Sequence, residues 1–196
     1  MYSEFEKMRS AQEVLSLKID ELLAAKPRVI VAIDGRCGAG KSTLGEYLSR
    51  KYDCCLIHMD DFFLRPEQRS TERLNTPGEN IDHERFLAEV LEPLADGRCF
   101  SYRPYSCRDG ALGAPVHVAP KKLCVIEGSY SCHPKLRKYY DLAVFVSVDK
   151  AEQLRRIEQR SGAEFAERFR TVWIPLEEAY FAACKVKESC RLYFET

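Results

Sequence analysis

The sequence lacks the features that mark several classes of protein. Its 196 residues contain no apolar run long enough to cross a membrane, and residues 1–15 mix charged with apolar side chains, unlike a secretory signal. Its 30 basic and 30 acidic residues cancel, so no overall charge attracts nucleic acid or an anionic membrane. We therefore expect a cytoplasmic protein that binds neither nucleic acid nor membrane.

Common metal and disulfide patterns are also missing. No Cys-x-x-Cys pair occurs, the nine cysteines are odd in number, and most lie in apolar runs, where a reduced thiol acts as a small hydrophobe. The four histidines, at positions 58, 83, 117 and 133, show no ligand spacing. The sequence thus predicts a reduced protein without a histidine cluster or a structural metal.

Apolar runs alternate with helical patterns along most of the chain. Nearly continuous apolar stretches predict strands at 28–34, 54–60, 123–128 and 142–148, with a weaker fifth at 191–195. Helical spacing predicts helices at 41–51, 83–95, 150–160 and 163–183, the last interrupted by Pro175. This alternation predicts a single α/β doubly wound domain over 28–196, with a mostly parallel five-stranded sheet and helices on both faces.

Two further segments differ from this pattern. Residues 1–27 are predicted to hold an amphipathic helix, over 3–25, that packs on the flank of the domain; its polar face carries both signs of charge, which argues against membrane binding. The polar stretch 65–81 is long for a loop in a compact domain and is predicted to be a mobile functional loop.

Residues 35–42 read GRCGAGKS, a full match to the phosphate-binding pattern G-x-x-x-x-G-K-[ST], which is called the P-loop. This segment lies between a predicted strand and a predicted helix. Its glycines permit a tight turn that aims backbone N–H groups at phosphate oxygens, and the helix start adds positive charge. Lys41 is predicted to reach the β- and γ-phosphates of ATP, and Ser42 to ligate Mg²⁺. The predicted nucleotide-binding residues are Gly35, Arg36, Cys37, Gly38, Ala39, Gly40, Lys41, Ser42 and Thr43. The Cys37 thiolate should be favoured in this positive setting, unless Cys37 is simply a small residue that fits the turn.

Sequence elements outside residues 35–43 indicate which class of nucleotide-binding protein this is. No N-K-x-D element for guanine is present, and the strand at 123–128 ends in a single Glu127 rather than the Asp-Glu pair of motor ATPases. Two adjacent acids, Asp60 and Asp61, instead end the strand predicted at 54–60, where alternation would point them in different directions. This layout favours a small-molecule kinase.

The P-loop is followed by MDDFF (59–63), NIDHERF (80–86), RPYS (103–106) and VIEGSYSCHPKLRKYYDLAVFVSVD (125–149). In this order the segments resemble the uridine kinase and phosphoribulokinase family of P-loop kinases, over most of residues 28–195. The resemblance implies that Asp60 is the base beside the acceptor hydroxyl and that Asp82 and Tyr105 bind the acceptor. Glu127 would hold magnesium's water shell or the acceptor, and Asp61 would either support the metal through water or cap the turn.

The resemblance also implies a helical lid, for which 152–162 is the candidate. Arg156 and Arg160 lie four residues apart on one helical face and would act as catalytic clamps on the transferring group. The alternative is a surface helix with a Glu152–Arg156 pair. Three aromatic residues at helical spacing are expected to belong to the core rather than to stack on a base: Phe169, Trp173 and Tyr180.

The sequence therefore predicts a kinase that uses ATP and Mg²⁺ to phosphorylate a hydroxyl of a small-molecule acceptor, with uridine or cytidine as the first candidate. Residues 105–110, YSCRDG, lack the aromatic and histidine that family nucleoside kinases place against the base, and Arg103 and Arg108 could meet an anion. A sugar phosphate or a pantothenate-like alcohol is therefore an alternative acceptor. A non-catalytic ATP-binding regulatory module also remains open, as does a homo-oligomer.

Overall fold

The computed structural model describes residues 4–196. The described residues form nine strands, which are β1 (Val29–Gly35), β2 (Cys54–His58), β3 (Phe100–Tyr102), β4 (Tyr105–Ser106), β5 (Ala111–Leu112), β6 (Val116–Val118), β7 (Leu123–Glu127), β8 (Leu142–Ser147) and β9 (Leu192–Glu195). Five of them build one parallel sheet in the order β2–β7–β1–β8–β9. The predicted doubly wound fold with a parallel five-stranded sheet is confirmed, and two small antiparallel pairs, β3–β6 and β4–β5, were not predicted.

Helices surround this sheet. They are α1 (Glu4–Ala25), α2 (Lys41–Lys51), α3 (Thr71–Asn75), α4 (His83–Phe86), α5 (Glu92–Asp96), α6 (Lys150–Ser161), α7 (Ala163–Arg168), α8 (Ile174–Ala183) and α9 (Val186–Ser189). A π-helical turn, Leu87–Leu91, joins α4 to α5, and another, Phe169–Trp173, joins α7 to α8. None of the helices in the described part of the chain is both long and apolar enough to cross a membrane.

The two faces of the sheet bury different residues of the same strand, because successive side chains of a strand point to opposite sides. On β1, Val31 and Ile33 pack with α1 and α2, whereas Ile30 and Ala32 pack with the helices around Phe86 and Tyr180. All seven residues of β1 are buried. This double burial explains the near-continuous apolar runs from which the strands were predicted.

Helix α1 covers one flank of the domain. Its Ala11, Leu15 and Ile19 are buried in the same cluster as Leu44 and Leu48 of α2. The first three residues of the predicted segment 1–27 lie outside the described residues. The described helix is therefore held by apolar packing onto α2 and β1.

Several sequence expectations about local structure are wrong. The strand predicted at 54–60 ends at His58, and the polar stretch 65–81 contains a 3₁₀ turn, Pro66–Gln68, and helix α3. By contrast, the helix predicted at 163–183 is interrupted as expected, because a π-helical turn, Phe169–Trp173, precedes α8, whose first turn contains Pro175. Phe169 and Trp173 are only half-buried and pack edge to face on each other, 4.6 Å apart, rather than in the core.

A buried carboxylate that the sequence analysis did not single out fixes the end of β1. Asp34 accepts hydrogen bonds from the backbone N–H groups of Gly35 (2.7 Å) and Cys132 (2.8 Å) and from the Tyr180 hydroxyl (2.8 Å). Burial raises its pKa to about 6, although these donors and Lys41 act in the opposite direction. Asp34 thereby ties the strand that enters the P-loop to the segment after β7 and to α8.

Candidate active site

The nine predicted nucleotide-binding residues, 35–43, form the turn from β1 into α2. Gly35, Gly38 and Gly40 all have positive φ, which only glycine adopts without strain. A Cβ on Gly35 would lie 1.9 Å from the carbonyl oxygen of Val146, so no other residue fits there. The backbone thus has the turn and the helix start that phosphate binding requires.

Lys41 is buried at this turn. Its Nζ donates to the carbonyl oxygens of Gly35 (2.7 Å) and Arg36 (3.0 Å). These contacts hold the ammonium inside the P-loop. When a triphosphate binds, its charged oxygens would take the place of the carbonyl oxygens as hydrogen-bond acceptors for Lys41. Lys41 therefore lies within the turn that is predicted to hold the phosphates.

Glu127, at the carboxyl end of β7, joins α2 to β2. One carboxylate oxygen accepts from Ser42 Oγ at 3.2 Å, and the other is 2.6 Å from Nδ1 of His58. The structure thus brings together the predicted metal pair, Ser42 and Glu127. It adds His58, whose pKa is raised by its hydrogen bond to Glu127 despite partial burial.

The His58–Glu127 pair should make stability depend on pH. Because folding raises the pKa of His58, the pair stabilises the fold below the ordinary pKa of histidine and loses that effect as the pH rises through the raised value. We expect His58→Gln to lower the melting temperature most near about pH 5.5, below the ordinary histidine pKa of about 6.5. A difference between the two proteins that does not shrink from there to pH 8.5 would contradict this assignment.

Asp60 and Asp61 do not lie on a strand. They belong to a 3₁₀ turn, Met59–Phe62, that follows β2, so strand alternation does not separate them. Asp60 is open to solvent, yet the protein atoms around it and the charges of Glu127 and Glu177 raise its pKa, opposed by Lys41. Asp61 accepts from the Tyr102 hydroxyl at 3.1 Å, which ties it to β3 rather than to the P-loop.

Two glutamates of α8 reach the P-loop, and the sequence analysis missed both. Glu177 is buried; it accepts from the backbone N–H of Cys37 at 3.0 Å and from Ser129 Oγ. Glu178 pairs with Arg36 through two hydrogen bonds, 2.7 and 3.2 Å long. In sequence the pair looks like any acidic stretch of a surface helix, so only the packing of α8 against the P-loop identifies it.

The expectation of a reactive Cys37 thiolate is wrong. The side chain is buried, and burial together with the adjacent Glu177 carboxylate raises its pKa far above the ordinary value. Gln153 of α6 also donates to its sulfur, at 3.2 Å. Cys37 therefore acts as a small packing residue beneath α6.

This burial predicts the order of alkylation by iodoacetamide. The exposed Cys99 and Cys107 should be labelled well before Cys37, because the thiolate is the reactive form and Cys37 is both buried and protonated. Peptide mass spectrometry over a time course at pH 8 measures the three rates. Labelling of Cys37 as fast as Cys99, in protein whose fold is intact, would contradict the burial.

The two predicted lid arginines have different surroundings. Arg156 donates to Glu152 at 2.7 Å, the pair expected of a surface helix, and also to the P-loop carbonyl of Gly38 at 3.2 Å. Arg160 donates to Ser161 and lies over the ring of Phe169, at 5.7 Å. The structure thus places Arg156, but not Arg160, beside the P-loop.

The predicted acceptor residues lie near the Met59–Phe62 turn. Asp82 is buried and caps α4 by accepting from the Arg85 N–H at 3.1 Å, while its Oδ2 has no hydrogen-bond donor among the described residues. Tyr105 is also buried, and its hydroxyl accepts from Arg69 at 3.1 Å. Arg103 is exposed and donates to the carbonyls of Leu112 and Gly113. Arg69, which the sequence analysis passed over, is the cation that contacts Tyr105.

No protein-family model matches the chain. The chain is 25% identical to a phosphoribulokinase from Synechocystis sp. over 144 residues (69% of this chain), and it spans 42% of that protein's length. It is 26% identical to a uridine kinase from Clostridium botulinum over 155 residues, which are 75% of this chain and 74% of that protein.

Solved structures with the same fold include a possible uridine kinase from Bacillus stearothermophilus, with a TM-score of 0.64 and 19% identity over 92% of this chain and 98% of that one. A protein assigned as a fructose transport system kinase from Silicibacter sp. also has a TM-score of 0.64, with 22% identity over 86% and 90% of the two chains. The resemblance seen in the motifs is therefore confirmed: the chain is similar in sequence to the uridine kinase and phosphoribulokinase family of P-loop kinases and shares their fold.

Proposed function

We propose that this protein is a kinase that transfers the γ-phosphoryl group of ATP, with Mg²⁺, to a hydroxyl of a small metabolite. The observation that carries the proposal is a complete P-loop in which Lys41 is held at the turn and Ser42 contacts Glu127. Asp60, whose charge is coupled to those of Lys41 and Glu127, is the candidate base. Phosphoryl transfer needs this combination of a base, a phosphate cradle and a metal ligand.

The residues around the P-loop fit both ATP and Mg²⁺. Ser42 and Glu127, whose oxygens are 3.2 Å apart, are the hard oxygen ligands that Mg²⁺ takes in nucleotide sites. The N–H groups of the first turn of α2 have no intrahelical acceptor and suit phosphate oxygens. Bound Mg²⁺ would supply positive charge to the phosphates, and Lys41 and Arg156, which both contact P-loop carbonyls, would add theirs.

On the acceptor side, Asp60 would take the proton of the attacking hydroxyl. The buried Oδ2 of Asp82 has two guanidinium groups at ion-pair distance, those of Arg85 at 3.6 Å and Arg65 at 3.8 Å, but it accepts no hydrogen bond from the described residues, and a second hydroxyl of the acceptor would donate one. A nucleoside such as uridine or cytidine is the first candidate, since both a uridine kinase and a possible uridine kinase are among the similar proteins. Each of these compounds carries a primary 5′-hydroxyl, which would attack beside Asp60, and separate vicinal ribose hydroxyls, one of which would donate to Asp82.

The test is ATP consumption measured with a panel of nucleosides, sugar phosphates and pantothenate. We expect one class of acceptor to stimulate turnover well above the rate with ATP and Mg²⁺ alone, and the phosphorylated product to appear in equal amount by mass spectrometry. Tight ATP binding with no response to any acceptor would refute the kinase and favour a nucleotide-binding regulatory module. Stimulation by sugar phosphates alone would keep the kinase and replace the nucleoside.

A further inference from the structure

Two histidines and a glutamate that are distant in sequence meet on the acceptor side of the domain. One ligand atom from each of Glu79, His83 and His133 lies within 4.8 Å of the other two. Both histidines are buried, and their rings stack 4.6 Å apart at an angle of 13°. The expectation that the histidines form no cluster is therefore wrong, because folding places the 77–83 segment against residue 133.

The centre of this cluster already attracts a cation. Lys135 Nζ lies 3.3 Å from Glu79 Oε1 and 3.1 Å from Nε2 of His83. Nε2 of His83 is also 2.8 Å from Glu79 Oε2, and Nε2 of His133 is 3.8 Å from Oε1. The Lys135 side chain is 57% exposed, so it can swing into solvent without breaking buried packing.

At neutral pH the protonation states of Glu79 and His133 favour the binding of a metal ion as well as of the Lys135 ammonium. Burial and the neighbouring cations lower the pKa of His133 to about 4, so this ring is neutral near pH 7, the form that binds metals. Burial acts to raise the pKa of Glu79, but the hydrogen bonds from His83 and Lys135 prevail and lower it. The cluster thus presents a carboxylate and a neutral imidazole at neutral pH.

We propose that Glu79, His83 and His133 form a site for Zn²⁺ or a similar borderline divalent cation, with Lys135 displaced and water as the fourth ligand. Two imidazoles and one carboxylate are a common zinc donor set, and bonds of about 2.0–2.2 Å set the ligand atoms roughly 3.3 Å apart. Binding therefore requires the cluster to contract and the two stacked rings to tilt, because an imidazole nitrogen binds a metal in the plane of its ring. Mg²⁺ prefers all-oxygen ligands, which separates this site from Ser42 and Glu127.

Metal binding also breaks one hydrogen bond. A metal on Nε2 of His133 leaves the ring proton on Nδ1, so the ring gives up the long contact, 3.4 Å, that Nδ1 now accepts from the Lys135 backbone N–H. The bound ion would link Glu79 and His83, which lie on either side of Asp82, to His133 in the segment after β7. A ligand that binds only the folded state raises its melting temperature, so Zn²⁺ should stabilise the protein.

The test compares untagged wild-type protein with variants at the site and with matched surface controls. Isothermal titration with Zn²⁺ should show one saturable site in the wild type, weakened at least about tenfold in Glu79→Gln and His133→Ala. Lys135→Met should bind more tightly than the wild type, because the competing ammonium is gone. His117→Ala and Lys138→Met, both exposed and outside the cluster, should bind as the wild type does.

Two further measurements keep the test decisive if a buried substitution unfolds the protein. Lys135→Met changes an exposed side chain, and its gain in affinity is opposite in sign to any loss through misfolding. Co²⁺ in place of Zn²⁺ should give visible d–d bands without the near-ultraviolet charge transfer that cysteine ligands produce. Absence of saturable Zn²⁺ binding in both the wild type and Lys135→Met, thiolate charge transfer, or unchanged binding by folded His133→Ala would each overturn the site.

Discussion

Replacement of Lys41 by alanine is expected to lower kcat by at least about 10²–10³-fold, the usual loss when one preorganised positive group is removed from a transition state, and to weaken ATP binding. The ammonium lies at the turn between β1 and α2, where the carbonyls of Gly35 and Arg36 hold it until phosphate oxygens replace them. Loss of these two bonds should lower stability by roughly 1–3 kcal/mol, too little to unfold a domain of ordinary stability.

A control on the same helix separates the lost charge from a damaged fold. Lys51, at the exposed end of α2, has no contact with the P-loop, so Lys51→Ala should keep the rate and the nucleotide affinity of the wild type. Rates are compared at saturating acceptor, and ATP affinity by titration calorimetry. Unchanged kcat in folded Lys41→Ala would remove the P-loop from the mechanism.

Replacement of Asp60 by asparagine has the second large expected effect. Asparagine keeps the shape of the side chain but cannot take a proton, so kcat should fall by roughly 10²–10⁴-fold while ATP affinity stays close to that of the wild type. Asp61→Asn is the matched control, one residue away. Its carboxylate is occupied by the Tyr102 hydroxyl, so its loss should lower kcat less than about tenfold.

The pKa of Asp60 gives this prediction a second readout. The surrounding protein atoms and the charges of Glu127 and Glu177 raise the pKa of Asp60, so the activity of the wild type should fall on the acid side at a pH above the ordinary value of 3.8. A raised folded-state pKa also means that ionised Asp60 costs stability at neutral pH. Asp60→Asn should therefore melt at the same temperature as the wild type or slightly higher.

Equal activity of Asp60→Asn and the wild type on the true acceptor would show that Asp60 is not the base. Equal losses in the two variants, with a drop in melting temperature, would instead mean that the turn at Met59–Phe62 has a structural role only. Raised stability with intact turnover in both variants would point to simple relief of repulsion between neighbouring acids.

The fold followed from local patterns in the sequence. Strands buried on both faces need apolar residues at nearly every position, as in 123–127 and 142–147, and these runs stand out from the amphipathic helices between them. The phosphate-binding turn is equally local, because its glycines and Lys41 lie within one short segment. Glu127 was found for the same reason, since parallel strands end at one edge of the sheet.

The predictions that proved wrong concern features that depend on how elements distant in sequence pack together. Asp60 and Asp61 seemed to end a strand, but the chain leaves the sheet at His58, a boundary that apolar content does not mark. The environment of Cys37 is set by Glu177, and that of His83 by His133, partners brought close only when α8 and the segment after β7 reach their places. Motif and periodicity therefore determined the sheet and the P-loop. Tertiary packing alone decided which thiol is inert, which arginine meets the P-loop and where two histidines converge, because burial and charge neighbours are properties of the folded chain.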